Sequence, residues 1–460
     1  MMTKNSACLF LSLLLGCSGK TPDDSGSVIP TEPEVVGAAP TFDGDAPQNI
    51  VMISIDTLRK DHLTRWDPES RNLTPYLNGL MDTGWVSDNY RTCSNWTYHG
   101  VSCTVGGRLP VDMDFMPRLV VEDIPKFAEG TPFLASWLAD AGYYNVLSSA
   151  NGWFAPGVNN TTGYTSFYGV PFMPGADLFQ LGRDDLTAAL DGGHTGPWML
   201  HIHMLEPHAP YDPPEEYLEG LDDLPPIAYD LTNKGAHYNA VFDDWGTLAP
   251  GEQELILQHM HLRYEGEIRH LDSLIEQMLA DLDGRGLLDD ALVVFWNDHG
   301  EQFFERGHQS HAWNLGVEEN DGFVLLWSKN IVPDASNAPA SAIDVAPTLL
   351  NLLGLERPDE VTGLMLGEAP SDRERWAAAN ARSGVVQSIT VGSRQLNYNW
   401  SGVARFYHLD TDPTQMNDVF DAKDPEVEEL WDRLQPYVQK AQPLVSNGSP
   451  KSPPGLKLAE

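Results

Sequence analysis

Asn49-Ile50-Val51-Met52-Ile53-Ser54-Ile55-Asp56 is an apolar run that stops on a carboxylate. A run this short, apolar throughout and closed by a polar group, reads as a strand buried on both faces of a parallel sheet. Leu292–Trp296, followed by Asn297-Asp298-His299-Gly300, has the same build, as does Pro197-Trp198-Met199-Leu200-His201-Ile202-His203. Tyr144–Ser148 is a weaker fourth run and Gly322–Trp327 a fifth. Helical patterns lie between them, over 75–83, 131–141 and 252–285. Strands alternating with helices predict an α/β fold with a doubly wound, mostly parallel sheet. Ligands of such sheets gather beyond the carboxyl ends of the strands, where Asp56, His208 and Asp298-His299 all fall.

After Pro370 the pattern changes to short alternating runs, Val385–Thr390, Gln395–Asn399 and Arg405–Leu409, then an amphipathic stretch near 425–440. These predict a small C-terminal antiparallel subdomain over 371–442, beside a main domain over 48–370. Residues 18–47 are rich in Pro, Gly, Ser and acidic groups and read as a flexible linker. The polar, Pro-rich tail 443–460 is expected to fray.

The chain has 460 residues, 28 basic against 66 acidic, for a net charge of −38. Such a surface repels polyanions, which argues against nucleic acid as a partner. The simple meaning of the charge is solubility; a few of the carboxylates are enough to hold divalent cations. The 44 aromatic residues supply a large core (16 Phe, 15 Tyr and 13 Trp). At the start, Lys4 precedes an apolar run from Ala7 to Leu15, too short to span a bilayer and built like an export signal. Leu14-Leu15-Gly16-Cys17 resembles a bacterial lipobox, which implies a signal peptide over 1–17, lipidation of Cys17 and attachment to the cell envelope (periplasm or outer membrane) through that anchor. The other reading is an ordinary signal with an incidental cysteine. In an exported chain Cys93 and Cys103 are candidates for a disulfide.

Asp56, Asp298 and His299 are oxygen and imidazole donors of the kind that hold a divalent cation. An Asp-His pair at a strand end is equally a helix cap with a neighbouring histidine. Two further clusters, Glu206-Pro207-His208 and the group around His308 and His311, tilt the balance toward a metal site. His201 and His203, on an apolar strand, read as structural histidines, and His308 as a loop residue. Arg59 divides evenly between a structural ion pair and a substrate contact.

These residues sit in a longer pattern. Ser54–Leu63 (SIDTLRKDHL) resembles the opening signature of one group of sulfatases, within the alkaline-phosphatase superfamily. Thr74–Leu80, the stretch WMLHIHMLEPHAPYDPPEEY over 198–217, Tyr264–Ile268, Leu292–Glu301, Ile343–Leu350 and Tyr407–Pro413 are similar to further motifs of that family, in the family's order. The resemblance implies a metal-dependent hydrolase of sulfate esters or of chemically similar phosphate and phosphonate esters, acting on a small-molecule or glycan ester. The family's nucleophile, often a cysteine matured to formylglycine, lies about 40 residues after the first aspartate. Here that position is Thr97, 41 residues after Asp56. By resemblance Asp56, Thr97, Asp298 and His299 hold one divalent ion (Ca, Mn or Zn), and His208 and His311 bind ester oxygens or protonate the leaving group; His99 and Arg59 are the candidates for contacting substrate. Imidazole suits Mn or Zn better than Ca. Where relatives carry a basic residue after the nucleophile this chain has Val101, and the Lys-x-His substrate motif is missing from Ser148–Trp153. A formylglycine hydrate expels sulfate by collapsing to the aldehyde; a threonine ester has no such route, so water must attack it. Two other readings stand beside the hydrolase: a catalytically impaired surface lipoprotein that binds an anion or glycan, and a transferase of phosphorylated headgroups.

Overall fold

Alternate residues of the first apolar run enter different cores, which places a sheet between two layers. The computed structural model describes residues 37–116, 125–232, 236–446 and 448–458. The signal peptide, Cys17 and most of the 18–47 linker lie outside the described residues. The strands are β1 (Asn49–Ile55), β2 (Trp85–Arg91), β3 (Tyr144–Ser149), β4 (Ser166–Tyr168), β5 (Trp198–Met204), β6 (Ala291–Asn297), β7 (Gln302–Phe303), β8 (Gln309–Ser310), β9 (Asp321–Trp327), β10 (Asp334–Ser336) and β11 (Ala340–Ser341). The central sheet runs β10-β2-β9-β6-β1-β5-β3-β4, with β11 also on β2. β7 and β8 form a separate two-stranded hairpin.

The helices are α1 (Pro75–Thr83), α2 (Thr97–Gly106), α3 (Leu134–Asp140), α4 (Gly175–Asp191), α5 (Ala236–Asp244), α6 (Pro250–Gly284), α7 (Val317–Asn320), α8 (Val345–Leu352) and α9 (Pro425–Ala441). Ile50 and Met52 of β1 and Leu292, Val294 and Trp296 of β6 join one core, with Tyr98 and Val101 of α2, Leu134 of α3 and Leu349 of α8. Val51, Ile53 and Ile55, with Val293 and Phe295, join the other, against Leu77 of α1, Leu178 of α4 and Leu271 of α6. The period of two along each strand thus separates two helical layers.

The pairings among β1, β3, β4, β5 and β6 are parallel, as the apolar runs predict. β9 differs: it pairs antiparallel with both β6 and β2. Between β6 and β9 the chain makes only the β7–β8 hairpin and the four-residue α7, without the crossover that a parallel return requires. Beyond residue 370 an antiparallel sheet forms in the order β12 (Glu374–Ala381), β13 (Gly384–Val391), β14 (Arg394–Asn399), β15 (Val403–His408). β12 is absent from the sequence expectation because Ala377-Ala378-Ala379 favours helix locally; eight paired positions with β13 override that preference.

This second sheet shares a core with the main one. Trp376, Ile389, Leu396 and Trp431 belong to the same hydrophobic cluster as Met52 and Trp296. The described part of the tail does not fray: Lys451 O accepts from the Tyr398 hydroxyl at 2.8 Å and Lys457 O from the Trp431 indole at 2.9 Å. The end of the linker is also held, with Ala38 O accepting from the Trp85 indole and Phe42 bridging to Ile331. Cys93 and Cys103 are joined in a disulfide. Among the described residues no helix is long and apolar enough to cross a membrane.

Candidate active site

Asp56 follows the last residue of β1, and Asp298 and His299 follow the last residue of the adjacent β6, so the sheet delivers all three to one edge. Thr57, next to Asp56, adopts a left-handed backbone (φ 59°), a conformation that a β-branched residue rarely takes. Its N–H reaches Asp298 Oδ1 at 3.3 Å, and the N–H of His299 reaches the same oxygen at 2.8 Å. Thr97 opens α2. That helix approaches closely because residue 100 is glycine: a Cβ there would stand 2.7 Å from the Asp298 carbonyl oxygen.

The Thr97 hydroxyl lies 3.4 Å from Asp56 Oδ2 and 3.3 Å from His299 Nε2. His299 Nε2 lies 3.6 Å from both Asp56 Oδ1 and Asp298 Oδ2. His299 Nδ1 faces the Gly300 carbonyl at 2.9 Å, and a carbonyl only accepts. Nδ1 therefore carries the proton and Nε2 turns a lone pair into the cluster. Burial, then the neighbouring His311, pushes the His299 imidazole down to about 3, which keeps it neutral.

Asp56 and Asp298 are buried together. Burial opposes ionisation of Asp56, but the neighbouring histidines, His208 foremost, outweigh burial and hold its carboxyl below the usual range. Burial and the Asp56 charge push Asp298 well above that range. Asp56 Oδ1, Asp298 Oδ2 and His203 Nε2 are all buried without a hydrogen-bond partner, and Asp56, His203 and Asp298 each offer a ligand atom within 4.8 Å of the others. Ligands held at about 2.0–2.2 Å from one ion lie about 3.0–3.6 Å from one another. The 3.3 to 3.6 Å from His299 Nε2 to Thr97, Asp56 and Asp298 falls in that range, and with the bare oxygens of Asp56 and Asp298 the residues present fit a divalent cation.

His311 is placed by its neighbours. Ser310 and Ala312 on either side both have positive φ (68° and 71°), and Glu301 Oε1 lies 3.0 Å from its Nδ1. Its ring is 4.3 Å from that of His299 and 5.2 Å from that of His208. His208, in the loop after β5, lines a cavity of about 370 Å³ with Phe172, Glu206 and Glu267. Trp313 lines a separate cavity of about 270 Å³ against the antiparallel sheet.

The two residues proposed for substrate binding are engaged by other groups of the protein. His99 is buried, accepts from the Trp96 indole at 2.8 Å and packs edge-on to Phe115; burial pushes it down to about 3. The Arg59 guanidinium is taken up by Asp61, Glu305 and the Glu301 carbonyl.

Two site residues escape the sequence reading. Asn151 donates to Asp56 Oδ2 at 2.6 Å and to Thr97 Oγ1 at 3.1 Å, so an amide orients the Thr97 hydroxyl where Val101 offers nothing. It stands inside the Ser148–Trp153 segment, where the Lys-x-His motif is missing. His203 is not the satisfied structural histidine expected: its Nε2 faces Asp56 Oδ2 at 3.6 Å. The available signal is the spacing of His201 and His203, which turns both rings to the face of β5 that carries Met199 into the α2-side core. His201 is satisfied as expected, between Ser54 at 2.9 Å and Tyr164 at 2.7 Å.

The sulfatase family pattern matches residues 48–355. A choline-sulfatase from Rhizobium meliloti (strain 1021) is 23% identical over 296 residues, 60% of this chain and 55% of that protein. An arylsulfatase from Clostridium perfringens (strain 13 / Type A) is 24% identical over 245 residues, 50% of each. The chain thus spans about half the length of the curated relatives it matches. In fold it resembles a phosphonate monoester hydrolase from Silicibacter pomeroyi, with a TM-score of 0.64 at 17% identity over 87% of this chain and 96% of that one.

Proposed function

The chain belongs to the sulfatase family, and on that premise we propose that it is a metal-dependent hydrolase of sulfate esters, or of chemically similar phosphate or phosphonate esters, with Thr97 as nucleophile. The observation that carries this reading is the Thr97 hydroxyl, 3.3 to 3.4 Å from His299 and Asp56 at the start of a ten-residue helix. A divalent ion held by Asp56, Thr97, Asp298 and His299 would lower the pKa of the attacking hydroxyl and offset charge on the ester oxygens.

The chain's own groups do the rest. Asn151 donates to Thr97 Oγ1 and so aims a lone pair of that oxygen. Asp56 Oδ2 is the nearest carboxylate to the Thr97 proton. The first N–H groups of α2 point toward an anion placed against Thr97. Attack forms a bond from Thr97 Oγ1 to sulfur or phosphorus and breaks the bond to the leaving alcohol oxygen, which takes a proton from His208 or His311. Water then attacks the same sulfur or phosphorus, and the Thr97 oxygen leaves. Phosphorus esters need no aldehyde route for this second step, so phosphate and phosphonate esters stand level with sulfate esters as substrates.

The same proposal includes export and anchoring through Cys17; the Cys93–Cys103 disulfide supports an oxidising compartment. Labelling with a radioactive fatty acid in the bacterial cell, lost on Cys17→Ser, tests the anchor. The enzyme is tested with a nitrophenyl sulfate, a nitrophenyl phosphodiester and a phenylphosphonate ester, beside Thr97→Ala. A Thr97-dependent rate on one of them is expected. Bound metal with no such rate on any of the three would sink the hydrolase and favour the anion-binding lipoprotein; product formed only with an added acceptor would favour the transferase.

A further inference from the structure

We propose that His203 is a nitrogen ligand of the cation at this site, held in the ligating tautomer by Ser54 with His201 and Tyr164 behind it, so that its imidazole favours a transition-metal ion over calcium. The proposal rests on the metal reading above and adds residues that this reading does not use.

The sheet register places the group. Ser54 of β1 is paired with His203 of β5. Ser54 Oγ lies 2.8 Å from His203 Nδ1 and 2.9 Å from His201 Nε2, and His201 Nδ1 lies 2.7 Å from the Tyr164 hydroxyl. Ser54, His201 and His203 are fully buried. One hydroxyl proton serves only one of the two rings; the other ring must donate to Ser54 Oγ.

That leaves two arrangements. If Ser54 donates to His203, then His203 carries its proton on Nε2. That N–H faces Asp56 Oδ2 at 3.6 Å, beyond hydrogen-bond range, and Nε2 has no other partner. A buried N–H would then be unsatisfied beside a carboxylate. If Ser54 donates to His201, then His203 donates Nδ1–H to Ser54 and His201 donates Nδ1–H to Tyr164. Nε2 of His203 is then a bare lone pair directed at the space shared by Asp56 and Asp298, whose Oδ1 and Oδ2 are themselves unpartnered. A cation there satisfies all three atoms together. A ligating imidazole fixed through its second nitrogen is the usual outer-shell arrangement of a metal centre. The set Asp56, His203 and Asp298 then places a neutral imidazole beside two carboxylates. Calcium takes oxygen ligands, whereas zinc and manganese accept nitrogen.

The test is competition between Zn²⁺ and Ca²⁺ for the metal-stripped full-length protein, read by calorimetry without substrate. Wild type should prefer Zn²⁺. His203→Asn should weaken Zn²⁺ at least about 100-fold and Ca²⁺ by no more than about threefold. Ser54→Ala should weaken Zn²⁺ about 10- to 100-fold, with the melting temperature of the metal-free protein close to wild type. Ser54→Thr, which keeps the hydroxyl, should restore the preference. Wild-type Zn²⁺ affinity in Ser54→Ala, or equal losses of Zn²⁺ and Ca²⁺ in His203→Asn, would overturn the proposal; if His203→Asn does not fold, Ser54→Ala decides. Because no substrate is used, a protein that selects Zn²⁺ through His203 yet hydrolyses nothing would keep this inference while removing the hydrolase.

Discussion

Asp56–Asp298 and Asp344 are two buried carboxylate centres built in opposite ways. Asp344, in the Ile343–Leu350 motif, is fully buried and has both oxygens in use: Arg373 grips them with two nitrogens, and the N–H groups of Ser341 and Leu364 donate at 2.8 Å each. Asp56 and Asp298 sit side by side with one oxygen each left bare. The first centre is closed by the chain itself and fastens the turn before α8 to residues 364 and 373. The second stays electrostatically open. A buried charge without a partner is costly, so an open centre at a strand edge marks a place where something from outside completes the charge balance. Both lie inside family-like motifs, so motif membership does not separate a closed carboxylate centre from an open one; the hydrogen-bond inventory does.

The sharpest way to break this contrast is to neutralise one carboxylate in each centre. Asp298→Asn should cut hydrolysis at least about 10³-fold and abolish divalent-cation binding, while raising the melting temperature of the metal-free protein because it removes repulsion from Asp56. Asp344→Asn should instead destabilise the fold by about 3–5 kcal/mol, since Arg373 is left buried without its counter-charge. Denaturant melts of both metal-free variants give the comparison. Equal destabilisation by the two would end it.

A smaller effect is expected at Asn151. Asn151→Ala removes the donor that orients Thr97, and kcat should fall about 10- to 100-fold with KM nearly unchanged. A loss confined to KM would place Asn151 on the substrate instead.

The smallest effect concerns pH. Glu319, on α7, is buried, and burial pushes it up to about 8 despite donors at Trp313 and Gln302. A carboxyl with a raised folded-state pKa gives its full stability below its unfolded value near 4.5 and loses it as pH rises through about 8. Wild-type melting temperature should therefore decline between pH 5 and 8, and Glu319→Gln should flatten that decline. An unchanged slope would show that Glu319 is not its source.

Asp56 and the Asp298-His299 pair were legible because each follows an apolar run, and the end of such a run is a strand end wherever the strand is placed. Thr97 came from the resemblance and its distance along the chain from Asp56, and the structure brings its hydroxyl to that edge. Helices such as α1 and α6 follow from local 3.6-residue spacing. His203, Asn151 and the closed state of Asp344 were not legible. Each depends on a partner far along the chain: His203 on Ser54, Asn151 on Asp56 and Asp344 on Arg373. The direction of β9 and the existence of β12 share that dependence, since pairing with a distant strand overrides local preference.

The sequence by itself thus determined an α/β chain with carboxylates and imidazoles delivered to the strand ends, because burial and periodicity act over a few residues. Only the tertiary structure decided which of those groups are satisfied and which are left open, because hydrogen-bond satisfaction is a property of pairs brought together by sheet register, with no trace in the spacing of either residue alone.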